Sequence, residues 1–438
     1  MKNYLLHFIV IFCFSEAFAQ NLVSGPMVGF VEIEEVMIWL QTDKPCEVHV
    51  EYYPKNQENK KLVSKTVSTQ SVLEGETLFP VYIAKILLKT EPSTEYVYEV
   101  YLNKKKIQRP YPMSFKTQSF WHYRKDPQNF SFALGSCFFV NDSIYDRPGK
   151  SYGGNYEILN AIYEKKPNFM LWLGDNTYLR EPDYFTLSGM LYRYTHTRKL
   201  PELQPLLANF ANYAIWDDHD YGPNDSDRSY KLKNYSQKIF EQFWANPKPV
   251  ASVSYYTHFM YEDCEFFLLD NRFFRTPNKR MNDKRTVLGQ EQLQWLIDAL
   301  VSSKASFKFV CIGGQVLNTA NVFENYAIFE EERKYLIESI QKEDIKNVIF
   351  LTGDRHHTEL SVTPNEPKIY DFTVSPLTAG AANFPDEKNE WRVPNSYIGE
   401  RNFGVITVSG KAKERILSLQ VFDSKGKELW KNSISLQK

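Results

Sequence analysis

The chain has 438 residues, 43% of them apolar, a composition that builds large cores and excludes a disordered chain. At roughly 100–200 residues per domain, that length calls for two or three domains. Lys and Arg number 52 against 53 Asp and Glu, a formal net charge of -1; this argues against a nonspecific nucleic-acid binder but leaves room for a local basic pocket for a small anion.

Lys2 precedes an apolar run over 5–14, and Ala17-Phe18-Ala19 has the small-x-small pattern of a cleavage site. The pattern predicts a secretory signal peptide over 1–19, with Gln20 first in the mature chain and export to a periplasmic or extracellular location. A buried first helix is the alternative. No twin-arginine pair precedes the run, which favours the general secretory route, and no Cys follows the cleavage site to carry a lipid. The run is too short to span a bilayer and no later stretch reaches about 20 apolar residues, so no transmembrane segment is expected. Cys13 leaves with the signal. Of the remaining Cys46, Cys137, Cys264 and Cys311, the latter two sit on strand-like runs, where a buried free thiol is the simpler expectation and a disulfide the alternative.

Residues 22–118 read as all-β, with alternating runs over 28–40, 47–53, 81–88 and 96–102. A sandwich of immunoglobulin or fibronectin type over 20–120 is expected, with its boundary in 119–129. The rhythm then changes to alternating strands and helices. Strands are predicted over 131–137, 168–173, 212–216, 254–260, 265–269, 307–313, 347–352, 368–374, 403–408 and 416–422. Helices are predicted over 156–165, 232–244, 289–300 and 329–340. This is an α/β body of layered αββα type over 121–438.

Four apolar runs end on acidic or histidine residues. Residues 169–173 lead into Gly174-Asp175, 213–216 into Asp217-Asp218-His219-Asp220, 266–269 into Asp270, and 348–352 into Gly353-Asp354-Arg355-His356. Ligands bind at the carboxyl ends of strands in such sheets. One strand-end Asp is ordinarily a turn or a cap. Four of them, two with His, point to a shared rim where crowded carboxylates need a cation. Asp175 and Tyr178, three apart, fall on one side of a turn. Asp354 and His356 share one face of an extended strand end, and His357 takes the other and is read as a non-ligand. Cys137 ends its strand after the small Gly135 and Ser136, and a thiolate beside cations is stabilised. Thiolate, phenolate, carboxylate and imidazole together suit Fe(III) paired with an oxygen-loving ion such as Ca²⁺.

The set Gly135-Ser136-Cys137, Gly174-Asp175-x-x-Tyr178, Trp216-Asp217-Asp218-His219-Asp220, Asp270-x-Arg272 and Gly353-Asp354-x-His356 resembles the PhoD family of calcineurin-like metallophosphoesterases. Ser24-Gly25-Pro26-Met27-Val28-Gly29 and Trp39-Leu40-Gln41-Thr42 resemble that family's N-terminal domain. The resemblance implies an exported alkaline phosphatase or phosphodiesterase, acting on a phosphate ester through a metal-bound hydroxide. It implies an Fe(III)–Ca²⁺ site, with other divalent metals as substitutes. Cys137, Asp175 and Tyr178 would stand on the iron side, Asp175 bridging, and Asp354 and His356 would complete the cluster. It also implies an Asn ligand after the acidic run; Asn224 is the match, one place later than usual, and Asp225 is the rival.

Arg272 is the candidate cation for the phosphoryl oxygens, with a salt bridge to Asp270 as the alternative and Arg275 and Arg355 as weaker candidates. His219 is expected to protonate the leaving oxygen or to orient Asp218, and Asp218 joins them as a catalytic candidate or, with Asp217, as a cap. His49, His122, His196 and His258 lie in no acidic cluster. Trp172 and Tyr221 either stack on a substrate or pack the core. A phospholipase-type or polymer-directed phosphodiesterase would use the same site, its entrance shaped by 141–154 and 376–402. A non-catalytic surface binding protein with a decayed site is a further reading, opposed by a ligand-type side chain in every motif. A zinc hydrolase is opposed by the shortage of His.

Overall fold

The computed structural model describes residues 21–281 and 284–437, so the predicted signal segment over 1–19 and Gln20 lie outside the described residues. Two large sheets face each other. The first has ten strands in the spatial order Glu428–Ser435, Ile416–Asp423, Asn402–Ser409, Phe130–Gly135, Phe169–Leu173, Ala211–Ile215, Leu22–Val31, Glu35–Thr42, Tyr82–Lys89 and Gln70–Ser71. The second has six: Thr257–Tyr261, Cys264–Leu268, Phe307–Cys311, Val348–Thr352, Tyr370–Thr373 and Glu359–Val362. Their inner faces meet through aromatic rings. Phe132 lies 5.2 Å from Phe266 and 5.4 Å from Phe309, and Tyr213 stacks on Phe259 at 3.8 Å. Such pairs contribute beyond the area they bury.

Side chains alternate faces along a strand, so the outward residues of each sheet need cover. Helices Glu157–Glu164, Leu187–Arg198, Gln204–Asn209 and Lys233–Phe243 bring Ile158, Leu191, Leu206 and Phe240 into one apolar cluster with Met170, Trp172 and Ala214 of the first sheet. Helices Gln290–Ser302 and Glu330–Lys342 do the same for the second, Leu296 and Leu336 clustering with Phe267, Val310 and Phe350. The central parallel strands are therefore buried on both faces, which is why they read as unbroken apolar runs. Trp172 and Tyr221 belong to this core. Cys46, Cys137, Cys264 and Cys311 are all buried free thiols.

The N-terminal strands do not form a body apart. Leu22–Val31 pairs in parallel with Ala211–Ile215, Val28 opposite Ala211, and antiparallel with Glu35–Thr42. The large sheet thus runs across the boundary expected near residue 120. Leu22–Val31 has an unbroken buried run rather than an alternating one, with Met27 and Val28 fully enclosed. Gly29 lets Ala245 lie directly against the backbone, where a Cβ would collide with it. Ser24 Oγ donates to Arg198 O at 2.7 Å, Trp39 Nε1 to Gln242 O at 2.8 Å and Gln41 Nε2 to Thr195 Oγ1 at 2.9 Å. A third sheet of Ser114–Lys116, Glu95–Leu102, Glu47–Pro54 and Leu62–Val63 alternates cleanly and covers this region from the other side. Helix Leu187–Arg198 was not foreseen, because its buried face carries Arg193, Thr195, Thr197 and Arg198 and so lacks an apolar stripe.

Candidate metal centre

The strands Phe130–Gly135, Phe169–Leu173 and Ala211–Ile215 run parallel, as do Cys264–Leu268, Phe307–Cys311, Val348–Thr352 and Tyr370–Thr373. Their carboxyl ends deliver Cys137, Asp175, Asp217-Asp218, Asp270, Asp354 and His356. Cys137, Asp175, Asp354 and His356 all hold left-handed backbone, with φ of 59°, 53°, 68° and 56°. Such conformations cost of order 1–3 kcal/mol each and cluster at functional sites; here they turn each side chain off its strand axis toward the others. Gly313 leaves no room for a side chain, since a Cβ there would enter the Asp217 carboxylate.

Cys137, Asp175 and His356 offer donor atoms that all lie within 4.8 Å of one another. Tyr178 joins them: its hydroxyl donates to Asp175 Oδ2 at 3.3 Å and lies 3.3 Å from His356 Nε2. The other ring nitrogen of His356 contacts Gly380 O, which aims Nε2 at the group. Ser375 Oγ donates to Cys137 Sγ at 3.1 Å. A second set, Asp217, Asp218 and Asp354, meets the same 4.8 Å condition, and Asp175, Asp218 and His219 form a third that links the two. Asp220 is the brace. It accepts from Asn176 N at 3.0 Å and Asp217 N at 3.0 Å, locking the 175–178 turn to the 217–220 turn.

The electrostatics are those of an uncompensated acidic site. Burial, with Asp218 and Cys137 next, holds Asp175 well above the usual carboxylate range. Burial and then Asp217 do the same to Asp354. Burial pushes Asp217 up to about 6 against the pull of Arg272. Burial and Asp354 push the Cys137 thiol up to about 12. Among the described residues, Asp217 Oδ2, Asp218 Oδ1, His219 Nδ1 and Asn271 Oδ1 are buried polar atoms without a hydrogen-bond partner. Buried acceptors are almost always satisfied, and crowded carboxylates resist ionising together. A cation answers both, so the residues present fit a metal site.

Arg272 requires a correction. Its guanidinium does not face the cleft as a phosphate-binding cation; it is fully buried between Asp217 and Glu324. It grips Glu324 bidentately, at 3.1 and 2.6 Å. Asp270 instead accepts the Arg272 backbone N–H at 2.9 Å, so the alternative partner foreseen for the side chain is also replaced. Burial opposes the Arg272 charge, but the two carboxylates outweigh it and hold the group well above its usual range. Arg275 turns to Glu324 and Arg355 to Glu387. Arg272→Ala leaves the buried Asp217 without its cation and Glu324 with Arg275 alone. It is expected to cost about 3–5 kcal/mol, read as a lower melting temperature; an unchanged melting curve would refute the clasp.

A cavity of about 1030 Å³ opens over the cluster, lined by Tyr178, His219 and Asn224 with Tyr152 and Arg401 on its wall. The His219 ring lies 4.1 Å from that of Tyr178, and burial lowers its basicity. Asn224 donates to Asp225 Oδ1 at 2.8 Å. Asp225 itself lies within 4.8 Å of Asp218 and Glu324. Sequence reasoning missed Glu324 and Asn271. Glu324 sits in a loop with no strand-end signal. Asn271 carried one, since it follows Asp270 directly, and its amide donates to Asp217 Oδ1 at 2.8 Å. His357 is fully buried and stands outside the donor groups.

A family of PhoD-like phosphatases matches residues 132–402, and a domain of unknown function (DUF7800) matches residues 19–120. Alkaline phosphatase D of Bacillus subtilis is 23% identical over 270 residues, 51% of this chain and 46% of that protein. A sphingomyelinase phosphodiesterase C of Dictyostelium discoideum is 24% identical over 290 residues, 60% and 63% of the two chains. The chain thus spans from about half to under two thirds of the length of these curated relatives. The solved structure of PhoD superposes with a TM-score of 0.69 at 16% identity, over 92% of this chain and 91% of that one. A purple acid phosphatase from yellow lupin seeds superposes at 0.68 and 14%, over 94% and 74%. These two likenesses establish the fold: mixed α/β built on large sheets. By the match over 132–402, more than half of its length, the chain belongs to the PhoD-like phosphatase family.

Proposed function

We propose that the chain is an exported, metal-dependent phosphoesterase that hydrolyses phosphomonoesters, phosphodiesters or both. The observation that carries this is the convergence of Cys137, Asp175, Tyr178 and His356 beside Asp217, Asp218 and Asp354, with buried acceptors left without partners. The donor types suit Fe(III) at the Cys137–Tyr178–His356 end and Ca²⁺ or another divalent ion at the carboxylate end. Asp175 stands with Cys137 and His356 in one group and with Asp218 and His219 in another, and would be held in common by both ions. Asp218, a member of three of the four donor groups, is a ligand in this scheme rather than a cap. Asn224, or Asp225 in its place, completes it. When bound, such ions neutralise phosphoryl oxygens and make a water acidic near neutral pH.

The remaining work falls to this chain's own groups. His219 faces the cleft, its ring held against Tyr178, and supplies the proton to the leaving oxygen. Arg401 takes the place first given to Arg272. Carbonyls of Thr378, Ala379 and Tyr152 hold its guanidinium at the cleft wall, at 2.9, 2.9 and 3.1 Å, in reach of a phosphate ester. The strands over 22–116 make an immunoglobulin-like sandwich that shares one sheet with the catalytic body, the units being 20–120 and 121–438. A diester-directed or phospholipase-type activity is the second reading. It is favoured by the roomy cavity and by the similarity to a sphingomyelinase phosphodiesterase C. Turnover of bis-p-nitrophenyl phosphate above that of the monoester would select it.

The protein purified without chelators is expected to show a broad visible charge-transfer band that disappears in Tyr178→Phe. A colourless, iron-loaded protein would remove Tyr178 from the ligand set. A colourless, iron-free protein would move the decayed-site reading forward.

A further inference from the structure

We propose that the rim of the metal cleft docks on an anionic lipid surface. Large apolar side chains stand in water beside the opening on separate segments. Ile144 is 76% exposed and Phe185 57%, each next in sequence to a residue that lines the cavity, Tyr145 and Tyr184. Phe384 is 44% exposed and follows the Gly380-Ala381 wall, and Phe323, 63% exposed, joins the rim through it. Phe323 and Phe384 touch each other, centroids 5.8 Å apart, and the Arg355 guanidinium stacks 5.0 Å from Phe323. Single exposed apolar residues need no explanation, but a set gathered around one opening marks an interaction site.

Charge names the partner. Arg147 and Lys150 line the same opening, and Lys231 Nζ lies 5.1 Å from the Phe185 ring. Asp146 in that wall is paired with Arg180, which leaves Glu181 and Glu400 as the acids there. Apolar rings flanked by Lys and Arg are the composition that enters the boundary between headgroups and acyl chains, held by anionic lipid. The position rests on the cleft being the active centre: docked this way, the opening faces headgroup phosphates.

The test is sedimentation of the full, metal-loaded protein with vesicles of phosphatidylcholine alone and of phosphatidylcholine with phosphatidylglycerol. Binding is expected to the anionic vesicles and to weaken with salt. Ile144→Ser/Phe185→Ser and Phe323→Ser/Phe384→Ser are made as separate pairs, so that a folding defect in one leaves the other informative. Each is expected to weaken partitioning by about tenfold, with unchanged turnover of soluble p-nitrophenyl phosphate. No binding by the parent protein, or equal binding by both variants, would overturn the proposal. So would a dimer in solution that both variants dissolve, because the rim would then belong to a second copy. Loss of turnover in the parent protein on every soluble ester would instead strike the phosphoesterase reading.

Discussion

Asp175→Ala is expected to lower turnover by at least about 10³-fold and to abolish metal loading, while the metal-free protein melts no lower than its parent. The two halves of this result have one cause. Asp175 is buried against Asp218, Cys137 and Asp354, and its carboxyl is held well above the usual range. A folded-state pKa above the unfolded value means that the ionised group opposes folding. That opposition is full above the raised folded-state value and fades as pH falls from it toward the unfolded-state value. Deleting the charge relieves the metal-free fold, although it also removes the acceptor for Tyr178 OH and His219 N. With ions bound the sign reverses, because the same charge then holds them. Melting curves with and without chelator, beside metal content and turnover, read both halves. Retained metal and turnover would sink the assignment, and a metal-free variant that fails to fold would show Asp175 to be structural.

Removing residues 20–120 is expected to yield no folded catalytic body at all. The truncation strips Leu22–Val31 from the edge of Ala211–Ile215, baring the backbone of a strand that is otherwise paired on both sides. An unpaired, flat, apolar edge is an aggregation site. It also empties Met27 and Trp39 from the core beneath helices Leu187–Arg198 and Lys233–Phe243, and Val28 from the core between the sheets. Losing three large core side chains costs roughly 2–5 kcal/mol apiece, on the scale of the whole stability of a domain. Size-exclusion chromatography and circular dichroism of 121–438 decide the matter. A monodisperse, metal-binding fragment would show that the shared sheet is dispensable.

Much of the centre was legible because its grammar is local. An apolar strand followed by Gly-Asp, or by Asp-x-His, announces its own rim, and Cys137, Asp175, Tyr178, Asp354 and His356 were all named from such short patterns. What stayed hidden depends on partners far along the chain. The Arg272 clasp joins residues 55 and 52 positions apart, and no spacing rule reaches that far. Asp218 reads in the sequence as a catalytic candidate or a cap, and Asp217 and Asp220 do form a capping box, which masked Asp218 as a neighbour of the other donors. The parallel pairing of Leu22–Val31 was lost for a different reason. A strand enclosed on both faces carries no alternation to mark it. Helix Leu187–Arg198 buries two arginines, a choice that only the finished packing explains.

The donors come from strand ends scattered between Cys137 and His356 in two different sheets, in short sets such as Asp175 with Tyr178, Asp217 with Asp218 and Asp354 with His356. No single strand end therefore offers the whole set. Ions at the proposed site would be a late acquisition, taken up after both sheets have closed. If the exported enzyme proposed above folds only after translocation, the cytoplasm would have no say in which ions it carries. The cargo is chosen by whatever the destination compartment supplies, so the same polypeptide folded in a different medium would leave with a different pair.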